Sequence, residues 1–194
     1  GTDGGDYFDT AGGDDVVDGG AGSDTLLIFA NRNVFDITTL AGLTKIKGKS
    51  GSGDYYYDTI TSRNVEKVMF ADQTVDLDTS NFEITSGTSL SNSYTGTSGD
   101  DYFDTNGGND VVDGGDGTDT ILIFKDKAGF SITTLAGLTK ITIPNYSSAG
   151  PYGGYTITSR NVEKVMFADQ TVNLDTSNID IVQGASRSEV FTGT

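Results

Sequence analysis

The chain counts in nines. Its first 27 residues divide into GTDGGDYFD, TAGGDDVVD and GGAGSDTLL, and residues 96–122 divide the same way into GTSGDDYFD, TNGGNDVVD and GGDGTDTIL. In every unit the fourth place is glycine (Gly4, Gly13, Gly22, Gly99, Gly108, Gly117) and the sixth is aspartate (Asp6, Asp15, Asp24, Asp101, Asp110, Asp119). The eighth is apolar: Phe8, Val17, Leu26, Phe103, Val112, Ile121. A flexible glycine-aspartate linker has no reason to keep an apolar residue in a fixed place. Each unit therefore reads as a tight glycine turn followed by a short strand that buries its eighth residue. Glycine lets the backbone take positive φ and turn sharply, which exposes its carbonyls. The aspartate stands at the turn's end, where its carboxylate can meet the next turn on the same side.

A longer repeat encloses the short one. TITSRNVEKVMFADQTV occurs at 59–75 and again, letter for letter, at 156–172, and ITTLAGLTKI occurs at 37–46 and 132–141. The nine residues GTSLSNSYT (87–95) fit the short frame with Asn92 in place of the aspartate, and GASRSEVFTGT (184–194) echoes GTSLSNSYTGT (87–97). The expected organisation is a first module over 1–86 without its opening nonapeptide, a second over 87–183, and the start of a third over 184–194. The chain is thus expected to be a piece of a longer array. The two copies differ most between KGKSGSGDYYYD (47–58) and TIPNYSSAGPYGGY (142–155), a divergence expected of a surface loop with few dependent contacts.

Composition narrows the chemistry. Net charge is −16, with no histidine and no cysteine. That excludes disulfides, thiolate or imidazole zinc sites, and Ser-His-Asp or Cys-His catalysis. Phosphate binding needs clustered Lys and Arg, so nucleic acid is not an expected partner. No apolar run approaches the ~20 residues of a membrane span, and no signal peptide is visible. Half of the 28 acidic residues lie in the nonapeptide blocks, seven in 1–27 and seven in 96–122. Their repulsion opposes a compact state unless cations offset it. Carboxylates and carbonyls, with no softer donors, suit a hard cation such as Ca²⁺.

GGAGSDTLL (19–27) and GGDGTDTIL (114–122) match in full the repeat G-G-x-G-x-D-x-U-x, U being large and apolar, and so resemble the RTX (repeats-in-toxin) calcium-binding nonapeptide family. The resemblance implies an all-β fold, a right-handed parallel β-roll with two nonapeptides per coil. It places Ca²⁺ between a turn and the turn two motifs later. Carried onto this chain, it sets Asp6 against Asp24 and Asp101 against Asp119. Carbonyl ligands would come from Thr2, Gly4, Gly19 and Ala21 in one site, and from Thr97, Gly99, Gly114 and Asp116 in the other. On the opposite side Asn92 would face Asp110 in a weaker site, and Asp15 lacks a preceding partner. The ninth-place residues Asp9, Asp18, Asp104 and Asp113 are expected to be solvated.

Beyond Leu26 the texture becomes strand-like. Strands are expected at 25–29, 35–38, 44–47, 56–61, 65–70 and 74–77. The VEKVMFADQTVDL segment (65–77) resembles the β-rich stretch that follows such repeats in secreted bacterial proteins, and its expected task is to cover the open end of the roll. Asp72 and Asp169 read as turn formers. Tyr55–Tyr57 and Tyr146, Tyr152 and Tyr155 sit in the divergent loops, where aromatics could stack on sugars.

No constellation of carboxylate, Ser, Tyr or Lys points to catalysis, so the chain is not expected to be an enzyme. The expected role is a calcium-folded structural repeat, secreted by a type I route and associated with the cell surface, as extender or scaffold of an adhesin, surface-layer or biofilm-matrix protein. The alternatives are a carbohydrate-binding module and an accessory domain of an extracellular enzyme or toxin. Calcium ions and neighbouring repeats are the expected partners of a monomeric chain, with surface glycans a further candidate.

Overall fold

The computed structural model describes residues 1–80, 82–142 and 154–176. The echo of a third repeat at 184–194, Tyr146 and Tyr152 lie outside them. The described residues form short β-strands and 3-10 turns, with no α-helix among them. They fall into two compact units, one of Gly1–Thr85 with Leu122–Lys127 and Met166–Gln170, the other of Ser86–Ile121 with the described residues of 128–165 and 171–176.

In the first repeat the strands are β1 (Tyr7–Asp9), β2 (Asp15–Asp18), β3 (Thr25–Ile28), β4 (Phe35–Leu40), β5 (Leu43–Gly48), β6 (Thr59–Arg63), β7 (Lys67–Phe70) and β8 (Thr74–Asp76). Odd and even nonapeptides feed opposite sheets, ordered β1-β3-β7-β8 and β2-β6-β5-β4. β1 pairs with β3 in parallel, with Tyr7 opposite Thr25 and Phe8 opposite Leu26. That offset of two nonapeptides per coil makes the block a parallel β-roll. Eighth-place residues point inward, because strand side chains alternate between faces. Val17 and Leu26 accordingly join Ile28, Phe35, Ile46, Ile60, Val65, Val68 and Phe70 in one core, with the partly buried Phe8 packed against it.

The last parallel rung of each sheet is not a nonapeptide. β7 pairs in parallel with β3 and β6 in parallel with β2. The segment expected to cover the open end of the roll lies on it as a further parallel rung, β7 on β3, with β8 beyond. Beyond it the pairing turns antiparallel: β5 on β6, β4 on β5 and β8 on β7. β4 and β5 are joined by Ala41-Gly42 in LAGL, both at positive φ (49° and 79°). Two consecutive positive-φ residues make the tight hairpin turn that suits strand twist.

The second repeat carries β9 (Ile84–Ser86), β10 (Ser93–Thr95), β11 (Tyr102–Asp104), β12 (Asp110–Asp113), β13 (Thr120–Ile123), β14 (Ser131–Leu135), β15 (Leu138–Thr142), β16 (Thr156–Arg160), β17 (Lys164–Phe167) and β18 (Thr171–Asn173). The sheet orders are β10-β12-β16-β15-β14 and β18-β17-β13-β11-β9. β10 pairs with β12 in parallel at the same offset, Tyr94 opposite Val112. The eighth-place Phe103, Val112 and Ile121 are all buried.

Two expectations about the non-repeat segments change. The divergent loop at 47–58 is not merely superficial, since Tyr55 is buried and its ring meets Phe35 edge-on at 5.7 Å. The strand expected at 56–61 begins only at Thr59, because Gly53–Tyr55 form a 3-10 turn.

Candidate metal centres

The second-place and fourth-place glycines of the later turns explain how the turns stack. Gly20 and Gly22 have φ of 89° and 130°. A methyl group on Gly20 would lie 2.6 Å from the Thr2 carbonyl oxygen, and one on Gly22 would lie 2.7 Å from that of Gly4. In the second repeat Gly115 and Gly117 stand in the same way over the carbonyls of Thr97 and Gly99. The earlier turn thus aims its second and fourth carbonyls at a later turn with no side chains in the way. The Thr2 carbonyl accepts from Ala21 N–H, and that of Thr97 from Asp116 N–H, each at 3.2 Å. Each carbonyl keeps a second lone pair for another donor or a cation.

The sixth-place carboxylates link the same turns. Asp24 Oδ1 accepts the Asp6 N–H at 2.7 Å, and Asp119 Oδ1 accepts the Asp101 N–H at 2.8 Å. On the other face Asp110 Oδ1 accepts the Asn92 N–H at 2.8 Å. The other oxygen of the lower residue turns back on its own turn. Asp6 Oδ2 accepts from Thr2 N at 2.6 Å and from Thr2 Oγ1 at 2.9 Å. Asp101 Oδ2 repeats this with Thr97 N at 2.6 Å, as does Asn92 Oδ1 with Thr88 N at 3.2 Å. A methyl group on Gly1 would run into the Gly19 carbonyl oxygen and lie 2.8 Å from Asp6 Oδ2, so those two oxygens converge on one point. Gly96, Gly114 and Asp101 repeat the convergence.

The structure therefore brings together Thr2, Gly4, Asp6, Gly19, Ala21 and Asp24, and likewise Thr97, Gly99, Asp101, Gly114, Asp116 and Asp119. Asn92 stands below Asp110 as a neutral copy of Asp6. Asp15 Oδ2 is buried and lacks a hydrogen-bond partner among the described residues.

Electrostatics separate Asp6 from Asp110 and Asp119. Hydrogen bonds from the Thr2 backbone and hydroxyl hold Asp6 below its ordinary range. Burial pushes Asp110 up to about 6. Burial, helped by the nearby charges of Glu163, Asp101 and Asp100, pushes Asp119 up to about 6 against the backbone bond from Asp101. Asp24 and Asp119 are 0% exposed, and the Oδ2 atoms of Asp24, Asp110 and Asp119 have no hydrogen-bond partner. A buried carboxylate oxygen without a partner is costly and calls for a proton or a cation. Among the described residues no three acidic side chains converge. The donor set is thus two carboxylates supplemented by carbonyls, all oxygen, which fits Ca²⁺.

The ninth-place aspartates are not uniformly solvated. Asp104 is 2% exposed, because β9 lies beside β11 in the sheet and Gly87 N–H bonds the Asp104 carbonyl at 2.7 Å. Asp18 pairs with Arg63 at 2.8 Å and Asp113 with Arg160 at 2.6 Å. Hydrogen bonding from Asn64, with the Arg63 charge, holds Asp18 below its ordinary range. Asp72 and Asp169 accept backbone N–H groups, from Arg32 at 2.8 Å and from Lys127 at 2.7 Å, as turn organisers do. In the divergent loop Tyr56 and Tyr57 are exposed, with ring centroids 4.0 Å apart.

Two functional candidates escaped the sequence reading. Glu66 Oε2 accepts the Asp24 N–H at 2.6 Å, and Glu163 Oε2 accepts the Asp119 N–H at 2.7 Å. The signal was present: Glu66-Lys67-Val68 repeats the acid, any residue, apolar order of Asp24-Thr25-Leu26.

These stacked, oxygen-lined turns define a calcium-binding class of repeat. Residues 1–27 and 86–121 match the model of the RTX calcium-binding nonapeptide repeat, in four copies. No curated protein matches the chain. Among solved structures, the extracellular lipase LipA from Serratia marcescens is similar over 84% of this chain, at 11% identity and a TM-score of 0.32. The match spans 37% of that lipase's length. No helix among the described residues is long and apolar enough to cross a membrane.

Proposed function

We propose that this chain is a calcium-folded structural repeat of a secreted bacterial protein, serving as extender or scaffold in an adhesin, surface-layer or biofilm-matrix protein. The observation that carries the reading is the pair Asp24 and Asp119. Both are fully buried, each has an oxygen without a hydrogen-bond partner, and neither has a basic partner among the described ion pairs. Such groups oppose folding until a cation arrives. Bound calcium would supply the positive charge that offsets the burial of these carboxylates. Asp6, Asp24, Asp101, Asp119 and the carbonyls of Thr2, Gly4, Gly19, Ala21, Thr97, Gly99, Gly114 and Asp116 would hold it. Asn92 and Asp110 would make a weaker site, having one carboxylate fewer.

Metal binding that requires the fold adds directly to folding free energy. A site with Kd ~10 µM at ~1 mM calcium contributes about 2.7 kcal/mol, and a few such sites rival the ~5–15 kcal/mol stability of a small domain. A chain of this kind stays unfolded where calcium is scarce and folds outside the cell, which suits export by a type I route. Near-identical modules in tandem suit a spacer that calcium stiffens. No catalytic role is proposed for these modules.

Small-angle X-ray scattering tests the reading. In chelator the radius of gyration should approach the ~47 Å of an unfolded chain of this length, and millimolar calcium should contract it sharply. An unchanged radius would refute the proposal. A second reading, glycan binding, draws support from the exposed Tyr56 and Tyr57 rings. Binding on a glycan array that Tyr56→Ala abolishes would favour it.

A further inference from the structure

We propose that Glu66 and Glu163 each complete a terminal calcium site, between the last nonapeptide turn and the non-repeat turn that follows it in space. The inference rests on the calcium reading above and adds two residues to it that lie outside the nonapeptides.

The argument is an equivalence of positions, made at every contact. In the nonapeptide pairs, the upper carboxylate accepts the N–H of the lower acid: Asp24 from Asp6, Asp119 from Asp101. One level up, Glu66 accepts from Asp24 and Glu163 from Asp119. The strand register agrees. The residue after Asp6 pairs with the residue after Asp24, and the residue after Asp24 pairs with Lys67, the residue after Glu66. Backbone bonds in the second repeat follow the same rule: Thr120 N–H bonds the Asp101 carbonyl at 2.9 Å, and Lys164 N–H bonds that of Asp119 at 3.0 Å.

The carbonyl that opens each turn is also reproduced. Gly96 N–H bonds the residue before Gly114, the Asp113 carbonyl, at 2.8 Å, and Gly114 N–H bonds the residue before Asn161, the Arg160 carbonyl, at 3.0 Å. A methyl group on Gly19 would run into the Asn64 carbonyl oxygen and lie 2.7 Å from Asp24 Oδ2. One on Gly114 would meet the Asn161 carbonyl oxygen and Asp119 Oδ2. Asn64 and Asn161 thus stand where a nonapeptide has its first glycine, at φ of 51° and 50°, a conformation that asparagine tolerates well. Their side chains are tied to Asp18 at 2.9 Å and to Asp113 at 2.8 Å.

The decisive atoms are Asp24 Oδ2 and Asp119 Oδ2. The same oxygen of Asp6 is satisfied by Thr2, but these two are fully buried, lack any hydrogen-bond partner, and point at the gap beneath the Asn64 and Asn161 carbonyls. A glutamate bends in from above, and no described ion pair involves it. Two carboxylates and a carbonyl around an orphaned oxygen form a hard-cation donor set. Glutamate's extra methylene matches the shorter turn, since Asn64 and Glu66 are two residues apart where Gly19 and Asp24 are five.

The test is calcium stoichiometry of the whole chain by titration calorimetry, for wild type and for Glu66→Gln/Glu163→Gln. Glutamine keeps the acceptor for the Asp24 and Asp119 N–H groups, so a purely structural glutamate would leave the stoichiometry unchanged. The expected result is two fewer ions per chain and a calcium midpoint for folding roughly tenfold higher, as a lost ligand charge implies. Unchanged stoichiometry would overturn the inference while leaving the nonapeptide sites standing. Wild type that binds no calcium would overturn the underlying reading instead. If the variant does not fold at any calcium level, the anomalous signal of wild-type crystals grown in calcium decides. A peak between Asp24 and Glu66 supports the site, and a peak between Asp6 and Asp24 without one above it refutes it.

Discussion

Asp119→Asn should change the sign of its effect when calcium is added. Burial and neighbouring acids raise this carboxyl from 3.8 to about 6. At pH 7.5 a displacement of that size is worth ~3 kcal/mol at 1.36 kcal/mol per pH unit, all of it opposing the metal-free fold. The asparagine oxygen can still accept the Asp101 N–H, so in chelator the substitution should stabilise the fold by up to about 3 kcal/mol. In calcium the balance reverses. A site of Kd ~10 µM contributes about 4.1 kcal/mol at 10 mM calcium. Losing one such site makes the variant less stable than wild type by roughly 1 kcal/mol, and losing two by roughly 5 kcal/mol. Urea unfolding followed by far-ultraviolet circular dichroism measures both, with a stabilising osmolyte in the chelator arm to populate the fold. A shift of the same sign in both arms would refute the idea that this charge is tolerated only for the sake of a cation.

The remaining expectations concern pH, turns, core and pairings. Asp110 and Asp119 have folded values of about 6 against an ordinary 3.8. Their contribution to the metal-free fold is present in full below ~pH 4 and lost as pH rises through about 6. Stability in chelator should therefore fall between pH 4 and 6.5, while calcium affinity climbs as the ligands deprotonate; a chelator-arm stability that rises across this window would contradict the assignment. Gly117→Ala places a methyl 2.5 Å from the Gly99 carbonyl oxygen, whereas Gly13→Ala meets nothing within 4 Å at a similar positive φ. In calcium melts the first should cost roughly 2–4 kcal/mol and the second about 1 kcal/mol, and equal costs would argue against stacked turns. Leu26→Ala, in a fully buried eighth place, should cost ~2–5 kcal/mol by calcium-saturated urea unfolding, and a loss under 1 kcal/mol would deny that the eighth place builds the core. Asp101→Ala should raise the calcium midpoint, and the exposed Asp126→Ala should not; equal effects would undo the pairings.

The sequence carried the periodic part of this architecture because each nonapeptide specifies itself. Glycine, aspartate and apolar places recur at fixed spacing, so the turns and the inward Leu26 and Ile121 followed from one local rule, while the coil and the stacking of Asp6 under Asp24 came from the resemblance to the RTX repeat. What it did not carry was the meeting of segments far apart in the chain. Glu66 reaches Asp24 only after the β4–β5 hairpin has intervened, and nothing in a nine-residue frame counts across such an excursion. Tyr55 was hidden for a related reason: its burial depends on Phe35 arriving from another strand. Asp104 departs from the solvated expectation because β9 lies beside β11, whereas the equivalent Asp9 sits on an edge strand and stays exposed.

A calcium titration of the intact chain, followed by circular dichroism and reversed with EDTA, confronts the main idea head-on. A cation-built roll gains its strand signal cooperatively between micromolar and millimolar calcium and gives it up to the chelator. A spectrum and melting temperature indifferent to both reagents would mean that glycine turns and a thin apolar interior suffice without metal.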